Sequence, residues 1–101
     1  MAISMIEPRH GWYDIINEQG KKVKTLSQTI GEIVGYGSHF FVVKRHGWYD
    51  LYDESGKKYK TLSETIGSVI SVTGETFVVR RNSWLDTYDS SGKKVNTRSA
   101  H

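Results

Sequence analysis

The chain has 101 residues, a length that suits one domain with a buried core. It has no cysteine, which excludes disulfides and cysteine–zinc sites, and no apolar run approaches the roughly 20 residues that span a membrane. With 14 Lys and Arg against 11 Asp and Glu, the net charge of +3 permits nucleic-acid binding without arguing for it. The first residues lack the basic flank and apolar run of a secretory signal, so we expect a cytoplasmic location.

A period of 36 residues organises the sequence. Residues 10–31 and 46–67 are identical at 16 of 22 positions, and residues 82–97 keep 9 of the 16 aligned residues of the second copy. A residue that recurs in every copy is first a part of the repeating unit, and only then a candidate for chemistry. The copies cover about residues 4–39, 40–75 and 76–101.

The second copy begins with two strands joined by a tight turn. Residues 40–45 are aromatic and β-branched, which is typical of a strand. His46 and Gly47 form a two-residue turn, because glycine tolerates the positive φ of tight hairpins. Residues 48–53 are the second strand. Residues 53–57 then predict a type I turn with a left-handed glycine and a bulge.

Two further strands complete this copy. Residues 58–62 return as the third strand, residues 63–65 are a polar connection, and residues 66–72 form a fourth, more apolar strand. No segment shows a sustained helical period. The pattern therefore predicts four antiparallel strands in each complete unit.

The outer copies depart from this pattern. Pro8 lies in the first strand, where it cannot donate a ladder hydrogen bond, so we expect that strand at an edge. The last copy ends before a counterpart of residues 66–72, which gives about eleven strands in all. A neighbour left with unpaired backbone groups must be covered or must pair with another chain. The incomplete last unit is therefore a predicted site of homo-oligomer formation.

Four antiparallel strands in 36 residues are similar to one propeller blade. A closed propeller has about 4–8 blades, so three units predict either an association of two chains or a compact open array. A threefold arrangement resembling a β-trefoil is the alternative. In each case we predict a single all-β repeat domain over residues 1–101.

Residues 49–57, with the sequence Tyr-Asp-Leu-Tyr-Asp-Glu-Ser-Gly-Lys, resemble the core of the bacterial WG (KWG-type) repeat. Residues 78–93 follow the same layout, with a Val-Val-Arg-Arg strand and an Asn-containing turn before the tryptophan. One departure is consistent, because Asp14, Asp50 and Asp86 stand where the family has a glycine. The resemblance implies β-rich repeats used for recognition and assigns no catalytic residue.

Recurring arginines and tryptophans are the main candidates for contact with a partner. Strand alternation puts each tryptophan on one face with an aspartate, whereas Tyr49 and Leu51 face the predicted core. Each arginine is opposite a tryptophan across the two-residue turn, so we expect Arg–Trp stacking. The arginines either simply cover the indoles or form with them a protein-binding surface. The six candidates are Arg9, Trp12, Arg45, Trp48, Arg81 and Trp84.

Lysine pairs follow each glycine turn and predict a basic rim. Such a rim, together with exposed tryptophans, is the basis of an alternative function in single-stranded nucleic-acid binding. Lysine after a turn is also an ordinary solvated surface, and edge lysines discourage aggregation. The six residues are Lys21, Lys22, Lys57, Lys58, Lys93 and Lys94.

The other polar residues are interpreted as parts of the repeat. Asp53 and Asp89 start turns, and the spacing of the acids does not suit a metal site. The aspartates on the tryptophan face are expected to pair with lysines of the third strand. His10 and His46 are replaced by Asn82 in the third copy, which indicates a turn conformation rather than imidazole chemistry.

No catalytic motif, cofactor or metal is predicted, and His39 and His101 stand alone. We therefore expect a non-enzymatic protein-recognition or assembly module, of the inhibitor or immunity type. The alternatives are nucleic-acid binding and a structural, self-assembling subunit. We expect no association with a membrane.

Overall fold

Eleven β-strands and two single turns of 3-10 helix make up the computed structural model, which describes residues 2–99. The strands are β1 (Ile3–Arg9), β2 (Trp12–Asn17), β3 (Lys22–Ser27), β4 (Glu32–Tyr36), β5 (Phe40–Arg45), β6 (Trp48–Asp53), β7 (Lys58–Ser63), β8 (Ser68–Thr73), β9 (Thr76–Arg81), β10 (Trp84–Asp89) and β11 (Lys94–Ser99). The all-β repeat prediction is confirmed. The connections after β3 and β7 are 3-10 turns, Gln28–Ile30 and Glu64–Ile66, rather than plain loops.

The strands form three antiparallel sheets whose boundaries are offset from the sequence copies. The first sheet has the order β1-β2-β3, the middle sheet β4-β5-β6-β7 and the last sheet β8-β9-β10-β11. The fourth strand of each sequence copy is therefore the first strand of the next sheet. This corrects the prediction of an incomplete last unit, because the last sheet has four strands and the first has three. Pro8 lies in β1 at the edge of the first sheet, as predicted.

Tight turns join the strands as the sequence predicts. His46 and Gly47 have φ values of 25° and 88°, and the equivalent His10 and Asn82 also have positive φ, which supports a conformational role for these positions. In the β6–β7 turn, Asp53 Oδ1 accepts hydrogen bonds from the backbone N–H groups of Ser55 and Lys57, both at 3.0 Å. Asn17 and Asp89 do the same in the other sheets. These carboxylates and amides stabilise turns.

The three sheets are stacked face to face in the order first, middle, last. We call the side of a sheet that carries the arginine, aspartate and tryptophan its front face, and the opposite side its back face. Ile15 on the back face of the first sheet packs in one cluster with Phe41, Val43 and Tyr52 on the front face of the middle sheet. The back face of the middle sheet forms a second cluster with the front face of the last sheet: Phe40, Val42, Tyr49, Leu51, Phe77, Val79 and Tyr88.

Both faces of the middle sheet are therefore buried. The prediction of one core face was right for Tyr49 and Leu51 but too narrow, because Phe41 and Val43 on the opposite face are also fully buried. The burial of the front face comes from the back face of the preceding sheet, which covers the front faces of the middle and last sheets. The outer surfaces of the stack are the front face of the first sheet and the back face of the last sheet, neither of which another described sheet covers. A stack of separate sheets also rules out the trefoil alternative.

The spacing between the middle and last sheets is smallest at their first strands. Between β4 and β8 a Cβ on Gly35 would lie only 2.6 Å from Val72 Cγ2, and Ser38 N donates to Gly74 O at 2.7 Å. At β7, the last strand of the middle sheet, the sheets are separated by side chains, since the Tyr59 hydroxyl spans the gap to Ser90 O. The middle and last sheets are therefore closer together at their first strands than at their last strands, as blades around an axis are.

Candidate partner-binding surface

A buried aspartate ties together three strands in each sheet. Arg45 donates to Asp50 through Nε at 2.8 Å and through Nη2 at 3.3 Å, and Thr61 Oγ1 donates to the same carboxylate at 2.8 Å. Because these residues lie on β5, β6 and β7, the carboxylate joins the strands of the sheet. The equivalent groups are Arg9, Asp14 and Thr25 in the first sheet, and Arg81, Asp86 and Thr97 in the last.

This network replaces the predicted Arg–Trp stacking. Arg45 and Trp48 are directly opposed in the ladder, as expected, but the guanidinium is directed to Asp50. The predicted pairing with lysines is confirmed in two sheets, with Lys58 Nζ 3.9 Å from Asp50 Oδ2 and Lys94 Nζ 3.8 Å from Asp86 Oδ2. The sequence did contain the missed signal, because arginine, aspartate and threonine recur together at the same three positions in every copy.

The arginines hold the aspartates in their ionised form. Hydrogen bonds from Arg9 and Thr25 lower the pKa of Asp14 to about 2. Burial acts to raise the pKa of Asp50, but hydrogen bonds from Arg45 and Thr61 outweigh it, so the pKa is lowered. The hydrogen bond from Arg81 likewise lowers the pKa of Asp86. Each carboxylate is therefore a structural anion rather than a proton carrier.

We expect the free energy of unfolding to decrease as the pH falls from about 4 to about 2. A folded-state pKa below the ordinary aspartate value stabilises the fold above that ordinary value, and this stabilisation is lost as the pH falls through the folded-state pKa. For Asp14 the interval lies between 3.8 and about 2. Urea denaturation at a series of pH values measures the effect. A free energy of unfolding that stays constant through this interval would contradict the assignment.

The three tryptophans form a repeated, half-exposed row, with exposed fractions of 46% for Trp12, 45% for Trp48 and 46% for Trp84. The front face of the first sheet is open, whereas the other two front faces are covered. Equal exposure in both situations means that the indoles lie beyond the area where sheets pack. The side chains of the opposed arginines are also 38–47% exposed. All six predicted contact residues therefore reach solvent, and we call them the Arg–Trp row.

Some lysines of the predicted basic rim already lie near other groups of the protein. Lys58 and Lys94 are near buried aspartates, and the stem of Lys60 contacts the turn of the next sheet at Gly92. All six lysines of the predicted rim are exposed, including the two that lie near a buried carboxylate: Lys21, Lys22, Lys57, Lys58, Lys93 and Lys94. The rim thus presents fewer unpaired cations than the sequence indicates.

The sequence predicts an isolated His39, but the structure places two glutamates beside it. Its Nδ1 is 2.7 Å from Glu75 Oε2 and its Nε2 is 3.7 Å from Glu54 Oε2. The hydrogen bond to Glu75 raises the pKa of His39. These residues lie in turns of successive repeats, so the histidine links neighbouring units. His101 lies outside the described residues.

A groove of about 390 Å³ follows the first sheet beside β1. Ile6, Pro8 and Tyr13 form one side, and Ile33 and Tyr36 of β4 form the other. The groove lies next to β1, at the position that the first strand occupies in each of the two four-stranded sheets. It is a consequence of the three-stranded first sheet, and it is separate from the Arg–Trp row.

No helix among residues 2–99 is long and apolar enough to cross a membrane. Comparison with known proteins assigns no family to this arrangement of a buried Arg–Asp–Thr network and an exposed tryptophan row. No protein-family model matches the chain, and the comparisons with curated proteins and with solved structures found no match either.

Proposed function

We propose that the protein is a non-enzymatic recognition module that binds another protein through the Arg–Trp row. The observation that carries this proposal is the equal exposure of Trp12, Trp48 and Trp84, which are large aromatic side chains that the packing of the sheets leaves half uncovered. Tryptophan and arginine are the residues most enriched among those that dominate protein–protein binding energy. A repeat that presents both three times offers an extended contact surface.

The buried network supports this role by fixing the arginines. Arg45 is held by two hydrogen bonds to Asp50, so binding immobilises fewer free rotamers than it would for an unanchored arginine. The scaffold beneath is a stack of sheets, which gives the row a rigid base. The resemblance to bacterial WG repeats, which are associated with recognition, also supports the proposal. The proposal also includes the cytoplasmic location that the sequence leads us to expect.

Single-stranded nucleic acid is a weaker candidate for this surface. Two lysines of the predicted rim, Lys58 and Lys94, lie near buried carboxylates, and the net charge of the chain is only +3. Nucleic-acid binding depends on unpaired cations and falls steeply with added salt. Salt dependence therefore separates the two functions.

We expect an immobilised full-length chain to retain a protein from an extract of its native cell, and a triple Trp12→Ala, Trp48→Ala, Trp84→Ala variant to lose it. With the retained protein purified, Trp48→Ala alone is expected to weaken affinity about 10–30-fold, as for a binding residue of high energetic weight. Isothermal titration calorimetry measures this affinity. Unchanged retention and affinity in the triple variant would refute the proposed surface.

Two controls make this test specific. Tyr36→Ala removes an exposed aromatic outside the row, and we expect it to retain the partner with unchanged affinity. Lys57→Gln combined with Lys93→Gln removes exposed rim cations, and we expect little effect on protein binding. If a fluorescent single-stranded oligonucleotide binds instead, and binding falls with salt and with the lysine substitutions, nucleic-acid recognition replaces the proposal.

A further inference from the structure

The two outer faces of the stack differ from the internal faces in a complementary way. Leu26 and Leu62 pack against the two hydrophobic clusters on the back faces of the first and middle sheets, but the equivalent residue of the last sheet is the exposed Arg98. On the front faces, Val43 and Val79 are fully buried, but the equivalent residue of the first sheet is the exposed Glu7. The back face of the last sheet therefore carries a cation, and the front face of the first sheet carries an anion, where the internal faces have apolar residues.

Apolar side chains remain around both charges. On the back face of the last sheet, Ile70 is 56% exposed, and Leu85 lies between Arg80 and Arg98 in the ladder. On the front face of the first sheet, Met5 is 41% exposed at the position where the middle sheet has the fully buried Phe41. Each outer face thus resembles one half of an internal interface, with a charge added.

We propose that a second copy of the chain covers these faces, in a head-to-tail dimer of six sheets. The back face of the last sheet in each copy packs on the front face of the first sheet in the other. In each internal interface, the leucine at the position of Arg98 and the valine at the position of Glu7 belong to the same hydrophobic cluster. Arg98 of one copy and Glu7 of the other copy therefore face each other at both contacts.

The unequal spacing between neighbouring sheets indicates a closed ring rather than a filament. Gly35 of β4 and Val72 of β8 approach each other closely, whereas side chains separate β7 from the last sheet. Successive sheets are therefore rotated about an axis near their first strands. Head-to-tail contacts close when that rotation completes a circle. Closed propellers have about 4–8 blades, and six is the only multiple of three in that range.

The competing explanation is that Glu7 and Arg98 are caps, since terminal repeats commonly carry a polar outer face that keeps them soluble. Caps and a head-to-tail contact predict opposite results. Caps need no particular pairing of charges, and they leave the chain monomeric. A contact requires opposite charges on the two faces and fails when they are made alike.

Analytical ultracentrifugation of the full chain tests the proposal. We expect a mass of twice the 11.5 kDa of one chain. Glu7→Arg and Arg98→Glu, each alone, place like charges at both contacts, and we expect each to weaken dimerisation at least about 100-fold. An equimolar mixture of the two variants restores opposite charges at both contacts, so we expect the dimer to return.

The result that would overturn the proposal is a wild-type monomer at millimolar concentration, an open series of higher masses, or a mixture of variants that stays monomeric. Both substituted positions are exposed, so folding should be preserved, and circular dichroism checks it. Ile70→Lys is a second variant on the apolar part of the contact and should also weaken the dimer. Trp48→Ala lies outside the contact and should leave the mass unchanged, so this proposal and the proposed function fail independently.

Discussion

Asp50→Asn is expected to lower the free energy of unfolding by about 2–3 kcal/mol, the range for a hydrogen-bonded charge whose partners lose their acceptor. Asp50 is fully buried, and its carboxylate accepts from Arg45 and Thr61 and lies near Lys58. The amide keeps the shape but removes the negative charge, so Arg45 loses its ion pair. Urea denaturation monitored by tryptophan fluorescence measures the change.

Asp53→Asn is the matched control, because the same substitution is made three residues away on the same strand. Asp53 uses its oxygen to accept two backbone hydrogen bonds in the turn, and Asn17 makes the same two bonds at the equivalent position of the first sheet. We therefore expect a change below about 0.5 kcal/mol. Equal losses in the two variants would show that Asp50 is not held in a buried network.

Val43→Glu is expected to destabilise the fold by about 4 kcal/mol or more, which approaches the whole stability of an ordinary domain of about 5–15 kcal/mol. Val43 is fully buried between the first and middle sheets, where a carboxylate would have no cationic partner from the opposing cluster. The equivalent residue of the first sheet is Glu7, which is exposed because no other sheet of the same chain covers its face. Thermal unfolding followed by circular dichroism measures the loss.

Val95→Glu makes the same change on the exposed strand β11, where valine is 55% exposed. We expect a change within about 0.5 kcal/mol. If Val43→Glu is tolerated as well as Val95→Glu, the front face of the middle sheet is not covered, and the stacked arrangement of the sheets is wrong. This comparison therefore tests the packing without depending on any partner.

Local features of the fold could be predicted from the sequence. The turn at His46 and Gly47, the glycine turn after Asp53 and the edge position of Pro8 all depend on the backbone preferences of a few neighbouring residues. The 36-residue period extended these interpretations from one copy to the others. Strand alternation also placed Trp48 and Asp50 on one face correctly.

The pairing between units could not be predicted in the same way. Whether β8 pairs with β7 or with β9 is a choice between two neighbours, and the sequence of β8 fits a strand in either place. The burial of Asp50 also depends on contacts between units, because the front face of the middle sheet is covered only when the back face of the first sheet packs on it. Alternation alone marks this face as polar and therefore predicts its exposure, whereas the packing of the sheets buries Asp50. The recurrence of Arg45, Asp50 and Thr61 in every copy was the available evidence for a buried network.

The chain has three tryptophans, so the indole N–H signals in a ¹⁵N-labelled sample report on the central claim most directly. We expect three indole signals in the free protein and a shift or broadening of these signals when the retained protein is added at stoichiometric concentration. Signals from the back face of the middle sheet should change little, because Leu51 and Val42 are buried. Binding that shifts other amides while all three indole signals stay in place would contradict recognition through the Arg–Trp row.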